Sequence, residues 1–253
     1  MSSDEQAPLF FSGDARLGLN RQSLRRMAQT ARLGSGSKVL DLGCGTGGTS
    51  LLLAREFGCT VVAADSDNTA LASLSSRLRS ESLQARVETL KIDFAQLTFA
   101  NGEFNLVLAP GKGIYSFSDA ATNLRRYLAS RGRLVVCQPV RVGAQVPPAL
   151  AQYWERKLGR PLQAPRELLL VLSEAGYEPE NIESLSEPEL DEIYRSLEQK
   201  ASKLPKDDEA RAEFQEEVRL QRAQAGPSSV TFACAMGRRK EPGEKPPPAR
   251  DRG

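Results

Sequence analysis

Apolar residues fall along this chain in two rhythms that alternate. Short runs of four to six, KVLDL (38–42), TVVAAD (60–65), NLVL (within 104–108) and GRLVVC (132–137), have the length and β-branched content of buried strands. Between them the spacing changes to three and four. Leu24, Met27 and Leu33 mark a helix over 20–33 behind an Asn20 cap. Leu51, Leu52 and Leu53 mark one over 46–57, and regularly spaced leucines mark another over 66–83. A third strand is expected over 86–91 and a further helix over 119–129. Strands alternating with helices predict a parallel sheet covered on both faces.

The rhythm changes after Gln138, where Pro139, Pro147 and Pro148 interrupt it. A helical stretch with Tyr153 and Trp154 follows, then a helix over 166–175 ended by Gly176, and a weak strand over 177–185. A charged helical stretch over 187–224, broken at Pro205, reads as a solvated amphipathic lid. A final strand, SSVTFACAM, covers 228–236, and the Pro-rich charged tail from Gly237 reads as disordered. This gives one α/β domain over 1–240, with 1–33 as a cover, 139–225 as insert and lid, and a tail over 241–253.

At 253 residues, 40% hydrophobic and 26% charged, the chain can bury one sizeable core. A net charge of +2 gives no argument for a nucleic-acid or membrane partner, and no apolar run is long enough for a membrane span. The N-terminus lacks a basic secretory signature, and Cys44, Cys59, Cys137 and Cys234 show no framework spacing. Free thiols in a cytoplasmic protein are the expectation. The chain contains no histidine, which excludes a histidine base, a Ser-His-Asp triad and His-ligated zinc; no metal is expected.

The chemistry concentrates at the exit of the first strand, Asp41-Leu42-Gly43-Cys44-Gly45-Thr46-Gly47-Gly48. Glycines there let the chain turn sharply and let a ligand approach the backbone. Gly43, Gly45 and Gly48 also satisfy the dinucleotide spacing, but Asp41 would repel a pyrophosphate. It suits a cofactor with a cationic amino-acid end, and S-adenosylmethionine has an ammonium, a sulfonium, a ribose and no phosphate. Asp65, ending the second strand about 20 residues on, can take both ribose hydroxyls. Asp93 and Phe94 follow the third strand, where an adenine amino group and ring could be met. A loop aspartate and a core phenylalanine fit that spacing as well. The run Pro110-Gly111-Lys112-Gly113-Ile114-Tyr115 leaves the fourth strand over the carboxyl edge of the sheet.

KVLDLGCGTGG, VVAADSD, IDF and FNLVLAPGKGIY together resemble the class I S-adenosylmethionine-dependent methyltransferases, in the small-molecule branch with the ubiquinone/menaquinone-biosynthesis enzymes and bacterial relatives of uncertain substrate. The resemblance implies a Rossmann-like seven-stranded sheet, order 3-2-1-4-5-7-6, with strand seven antiparallel. It implies that Asp41, Gly43, Cys44, Gly45 and Gly47 line the methionine end. Asp65 would hold the ribose, Ser66, Asp93 and Phe94 the adenine, and Pro110 and Gly111 would pass near the amino-acid moiety. Arg16-Leu17-Gly18 matches a stretch that folds over the cofactor. Where the subgroup has a glutamate before the glycine that follows strand four, this chain has Pro110.

Methyl transfer to a small-molecule acceptor is therefore the expected activity, with Tyr115 at the reaction centre and Tyr115, Tyr153 and Trp154 toward the acceptor. Phe10, Phe11 and Tyr194 could complete that cover, and a plain packing role fits each. The alternative is an S-adenosylmethionine-binding protein with lost or altered catalysis, motivated by Pro110 and the absence of histidine. Asp41 argues against a nicotinamide enzyme. The protein is expected to work as a monomer or homodimer, without nucleic acid or membrane.

Overall fold

The computed structural model describes residues 20–94, 96–110, 116–143, 145–224 and 226–244. Its seven strands are β1 (Lys38–Leu42), β2 (Thr60–Asp65), β3 (Val87–Lys91), β4 (Phe104–Pro110), β5 (Leu128–Arg141), β6 (Tyr177–Ser184) and β7 (Val230–Arg239). They form one sheet in the order β3-β2-β1-β4-β5-β7-β6, as the resemblance implies. β7 runs antiparallel to both its neighbours and the other pairings are parallel.

The helices are α1 (Arg21–Thr30), α2 (Gly48–Leu52, continued by a π turn, Leu53–Phe57), α3 (Asn68–Ser80), α4 (Phe117–Asn123), α5 (Pro148–Leu158), α6 (Pro165–Glu174), α7 (Glu187–Lys203) and α8 (Glu209–Arg222). Asn20 caps α1, accepting from the Ser23 N–H at 2.6 Å. One face of the sheet packs against α1, α2 and α3 through Leu24, Leu51 and Leu74. The other packs against α4 and α6 through Phe117, Leu168 and Leu172. A third core, holding Trp154, Tyr194 and Phe214, joins α5, α7 and α8 to Val230 and Phe232 of β7.

Four expectations change. β5 does not stop before Pro139 but runs on to Arg141. Its pairing with β4 ends at Cys137, opposite Pro110, so Pro139 pairs only with β7, at Phe232. A missing N–H is tolerated where a strand has one free side. Second, Cys137 and Cys234 are not free thiols. They face each other in the β5–β7 register, 4.0 Å apart at Cα, and form a disulfide, while Cys44 and Cys59 are free and buried. Third, β7 continues through Arg239. Beyond it Glu241 accepts from the Arg131 N–H at 2.9 Å, and Glu244 pairs with the buried Arg238 at 2.6 Å, so the ordered chain reaches at least 244.

Last, the charged stretch over 187–224 is not uniformly solvated. Both of its helices contribute to the third core, and Glu217 is fully buried. Among the described residues no helix is long and apolar enough to cross a membrane.

Candidate functional site

β1, buried from Val39 to Leu42, ends at the middle of the sheet, between β2 and β4. The chain then turns through Gly43, Gly45 and Gly47, all with left-handed φ (66°, 54° and 79°). Such angles suit glycine, which lacks the Cβ that makes them costly. The N–H groups of Gly43 and Cys44 both donate to the Ala64 carbonyl, at 2.8 and 3.2 Å, tying the loop to β2. A Cβ on Gly47 would lie 2.1 Å from Leu74 Cδ1, so α3 closes on the loop through the absence of a side chain.

Two carboxylates flank this loop. Asp65 Oδ2 accepts the Gly45 N–H at 2.8 Å and Oδ1 accepts the Asp67 N–H at 2.9 Å. Each oxygen retains acceptor capacity. Asp41 is fully buried. Its Oδ2 accepts from Ser50 Oγ at 2.6 Å, and among the described residues its Oδ1 has no donor. Burial raises the Asp41 pKa to about 7, the Ser50 hydrogen bond opposes that, and nearby Asp65 adds to it. An orphaned carboxylate oxygen at the exit of β1 is costly unless a cation or donor meets it. An ammonium group fits it and a phosphate does not. Cys44 is no nucleophile here, since burial, then Asp41 and Asp65, hold its thiol far above the usual range.

The other expected residues lie along the same edge. Ser66 is exposed beside Asp65. Asp93 is exposed and Phe94 half-buried, two and three residues past Lys91, which is in register with Asp65. Pro110 ends β4, the strand next to β1 on the side away from β2. Gly111 and Tyr115, with Phe10, Phe11 and Arg16 to Gly18, lie outside the described residues.

Tyr153 and Trp154 are buried in the third core. Tyr153 Oη donates to Glu217 Oε2 at 2.7 Å and Tyr194 Oη to Glu217 Oε1 at 3.3 Å. The Trp154 ring meets Tyr153 and Phe232 edge-on, at 5.2 and 5.8 Å. Glu217 was not singled out from the sequence, although its spacing from Phe214, Val218 and Gln221 places it on the inward face of α8. Among the described residues, no group of three or more His, Cys, Asp or Glu could hold a metal ion. A groove of about 670 Å³ lies at the opposite edge of the sheet, where the charges of Arg131, Arg133, Arg238, Glu178, Glu180 and Glu244 pair with one another.

Residues 39–132 match a family model described as a methyltransferase domain. The chain is 33% identical over 108 residues to the methyltransferase GfsG of Streptomyces halstedii, covering 42% of this chain and 39% of that protein. It is 32% identical over 111 residues to the ubiquinone/menaquinone biosynthesis C-methyltransferase UbiE of Xylella fastidiosa, covering 43% and 44%. The matched region thus spans less than half the length of either relative. The fold extends further: the crystal structure of the [4+2]-cyclase SpnF superposes with a TM-score of 0.67 at 21% identity, over 91% of this chain and 85% of that one. With the glycine loop, its two carboxylates and the sheet order, residues 39–132 are thus similar to the methyltransferase domain of the class I S-adenosylmethionine-dependent methyltransferases.

Proposed function

We propose that the protein binds S-adenosylmethionine at the exits of β1 and β2 and transfers its methyl group to a small-molecule acceptor. The observation that carries this reading is the buried Asp41 carboxylate, whose Oδ1 has no donor among the described residues, beside a loop of left-handed glycines. Asp41 holds the ammonium end. Gly43, Cys44, Gly45 and Gly47 give the methionine chain close access to the backbone. Asp65 takes the ribose hydroxyls with its remaining lone pairs, and Ser66, Asp93 and Phe94 border the adenine.

When bound, S-adenosylmethionine supplies an already activated methyl on a sulfonium. The residues then have to align the acceptor in line with the S–CH₃ bond and exclude water. Pro110 and Gly111 lead β4 out beside that point, and Tyr115 borders the reaction centre. The lid of α5, α7 and α8 covers the acceptor, and Tyr153 and Trp154, expected from the sequence to face it, instead stiffen the lid from within its core. The protein acts as a monomer or homodimer, with no nucleic-acid or membrane partner. A cytoplasmic location belongs to the same proposal. Its support is the two free thiols, Cys44 and Cys59, and the Cys137–Cys234 bond weighs against it.

Calorimetric titration with S-adenosylmethionine, with NAD as the comparison, tests the cofactor. Micromolar binding of the former and none of the latter is expected; the reverse overturns the reading. A second reading is a cofactor-binding protein with lost or altered catalysis. Pro110, where similar proteins carry a glutamate, favours it, and so does a structural neighbour named as a cyclase. Tight binding without methyl transfer to any acceptor in a broad panel would support it.

A further inference from the structure

Arg160 follows α5, just past Gly159, whose φ of +68° ends that helix. It lies at the same edge of the sheet as the glycine loop. Its Nη2 donates to Gln138 Oε1 at 2.9 Å. Gln138 stands near the end of β5 and is 1% exposed. Its amide nitrogen donates to Gln163 Oε1 at 3.4 Å, which leaves its oxygen turned to the guanidinium. The Arg141 N–H donates to the Gln163 carbonyl at 2.9 Å, so the whole 160–163 turn is fastened along the strand end.

Arg160 has no ion pair among the described residues, and its Nε is buried without a partner. Burial lowers its pKa, and Asp119 of α4 acts on it in the opposite sense through its charge. Asp119 is itself engaged, accepting from Ser116 Oγ at 2.6 Å in the cap of α4. Elsewhere, Arg133 and Arg238 are paired with glutamates, and the half-buried Arg77, Arg125 and Arg239 donate to backbone carbonyls, whereas Arg160 donates to a side chain at the sheet edge that carries the glycine loop.

The place matters as much as the charge. Sheet order puts β4 next to β1 and β5 next to β4. A ligand extending from the exit of β1 over the exit of β4 next meets the exit of β5, where Gln138 holds Arg160. α4, whose Asp119 is the nearest acidic influence on Arg160, begins shortly after β4 ends. A fixed guanidinium with unused donors recognises carboxylate or phosphate oxygens in preference to neutral groups.

We propose that Arg160, oriented by Gln138 and Gln163, is the anion anchor of the acceptor site, and that the acceptor carries a carboxylate or phosphate group. This rests on the reading above that methyl transfer takes place at this edge. The test uses the full chain saturated with S-adenosylhomocysteine, titrated calorimetrically with a panel of aromatic and aliphatic carboxylates, their uncharged amides, phosphate monoesters and the matching alcohols. Failure of S-adenosylhomocysteine to bind would count against the cofactor site and is read separately, before the panel.

At least one oxyanion is expected to bind at least about tenfold more tightly than its neutral counterpart, with the panel showing whether carboxylate or phosphate is preferred. Arg160→Gln should abolish that preference and leave S-adenosylhomocysteine affinity unchanged. Gln138→Glu keeps the arginine but supplies it with an internal carboxylate, and should abolish the preference too. Binding of neutral members only, binding of no oxyanion, or a preference that survives both substitutions would overturn the proposal.

Discussion

The Asp65 carboxylate accepts the Gly45 N–H at 2.8 Å, so the end of β2 holds the tip of the glycine loop before any ligand is considered. In the proposed site, one side chain would thereby shape the methionine end and offer its remaining lone pairs to the ribose. Asp65→Ala should weaken S-adenosylmethionine binding at least about tenfold, from lost charge-assisted hydrogen bonds. Asp65→Asn keeps one acceptor oxygen for the loop and should lose less. Calorimetry on both variants checks the order, and equal affinity in wild type and Asp65→Ala would remove Asp65 from the site.

In the proposed site, Asp41 would make S-adenosylmethionine binding pH-dependent. Its carboxyl titrates near 7 in the folded protein, against about 3.9 in an unfolded chain. Between these values the folded state holds more protons than the unfolded one, so this residue's contribution to stability falls as pH rises from about 4 to about 7. Ammonium binding needs the ionised form. Affinity for S-adenosylmethionine should therefore rise about tenfold per unit below pH 7 and level off above it, with proton release on binding below pH 7. Titrations in buffers of different ionisation enthalpy measure that release, and Asp41→Asn should bind weakly with a flat profile.

Gly47→Ala puts a Cβ against Leu74 at a φ of +79°. The backbone strain amounts to roughly 1–2 kcal/mol. Adding Leu74→Ala should relieve the side-chain clash and leave the strain, so the double variant should recover part of the cofactor affinity lost in the single one. Denaturant melts and calorimetry on the three variants form the cycle.

Glu217 joins α5, α7 and α8 through two phenols. Tyr153→Phe removes the 2.7 Å bond to its carboxyl group and should cost about 1–3 kcal/mol in a denaturant melt, since a buried polar group loses its partner. Cofactor affinity should stay unchanged, because the glycine loop belongs to a different core.

Cys137–Cys234 closes a loop between residues 97 positions apart. Non-reducing mass spectrometry after alkylation should find two modified cysteines, Cys44 and Cys59, in the unfolded protein, and four after reduction. Reduction should lower stability by about 2–4 kcal/mol, seen as a fall in melting temperature.

What the chain disclosed of itself follows the reach of each interaction. Asp41, the glycines and Asp65 were readable because strand exits have a local grammar of turns and charges. Cys137 and Cys234 were not, because their pairing depends on a register between strands far apart in sequence. Pro139 misled for a related reason: a proline ends a strand only if its nitrogen has a neighbour to bond, and β4 stops short of it. Glu217 hid in the composition of a charged helix, where only its angular position among Phe214, Val218 and Gln221 set it apart.

α7 and α8 both lie between β6 and β7, which are adjacent antiparallel strands of the sheet. A hairpin of a few residues would join those strands. The lid is thus an interruption that the sheet does not need for its own connectivity. The glycine loop and its two carboxylates lie outside this insertion, which supplies only part of the proposed acceptor cover. Replacing that insertion would change the cover of the proposed acceptor site without touching the strand exits that hold the proposed methyl donor.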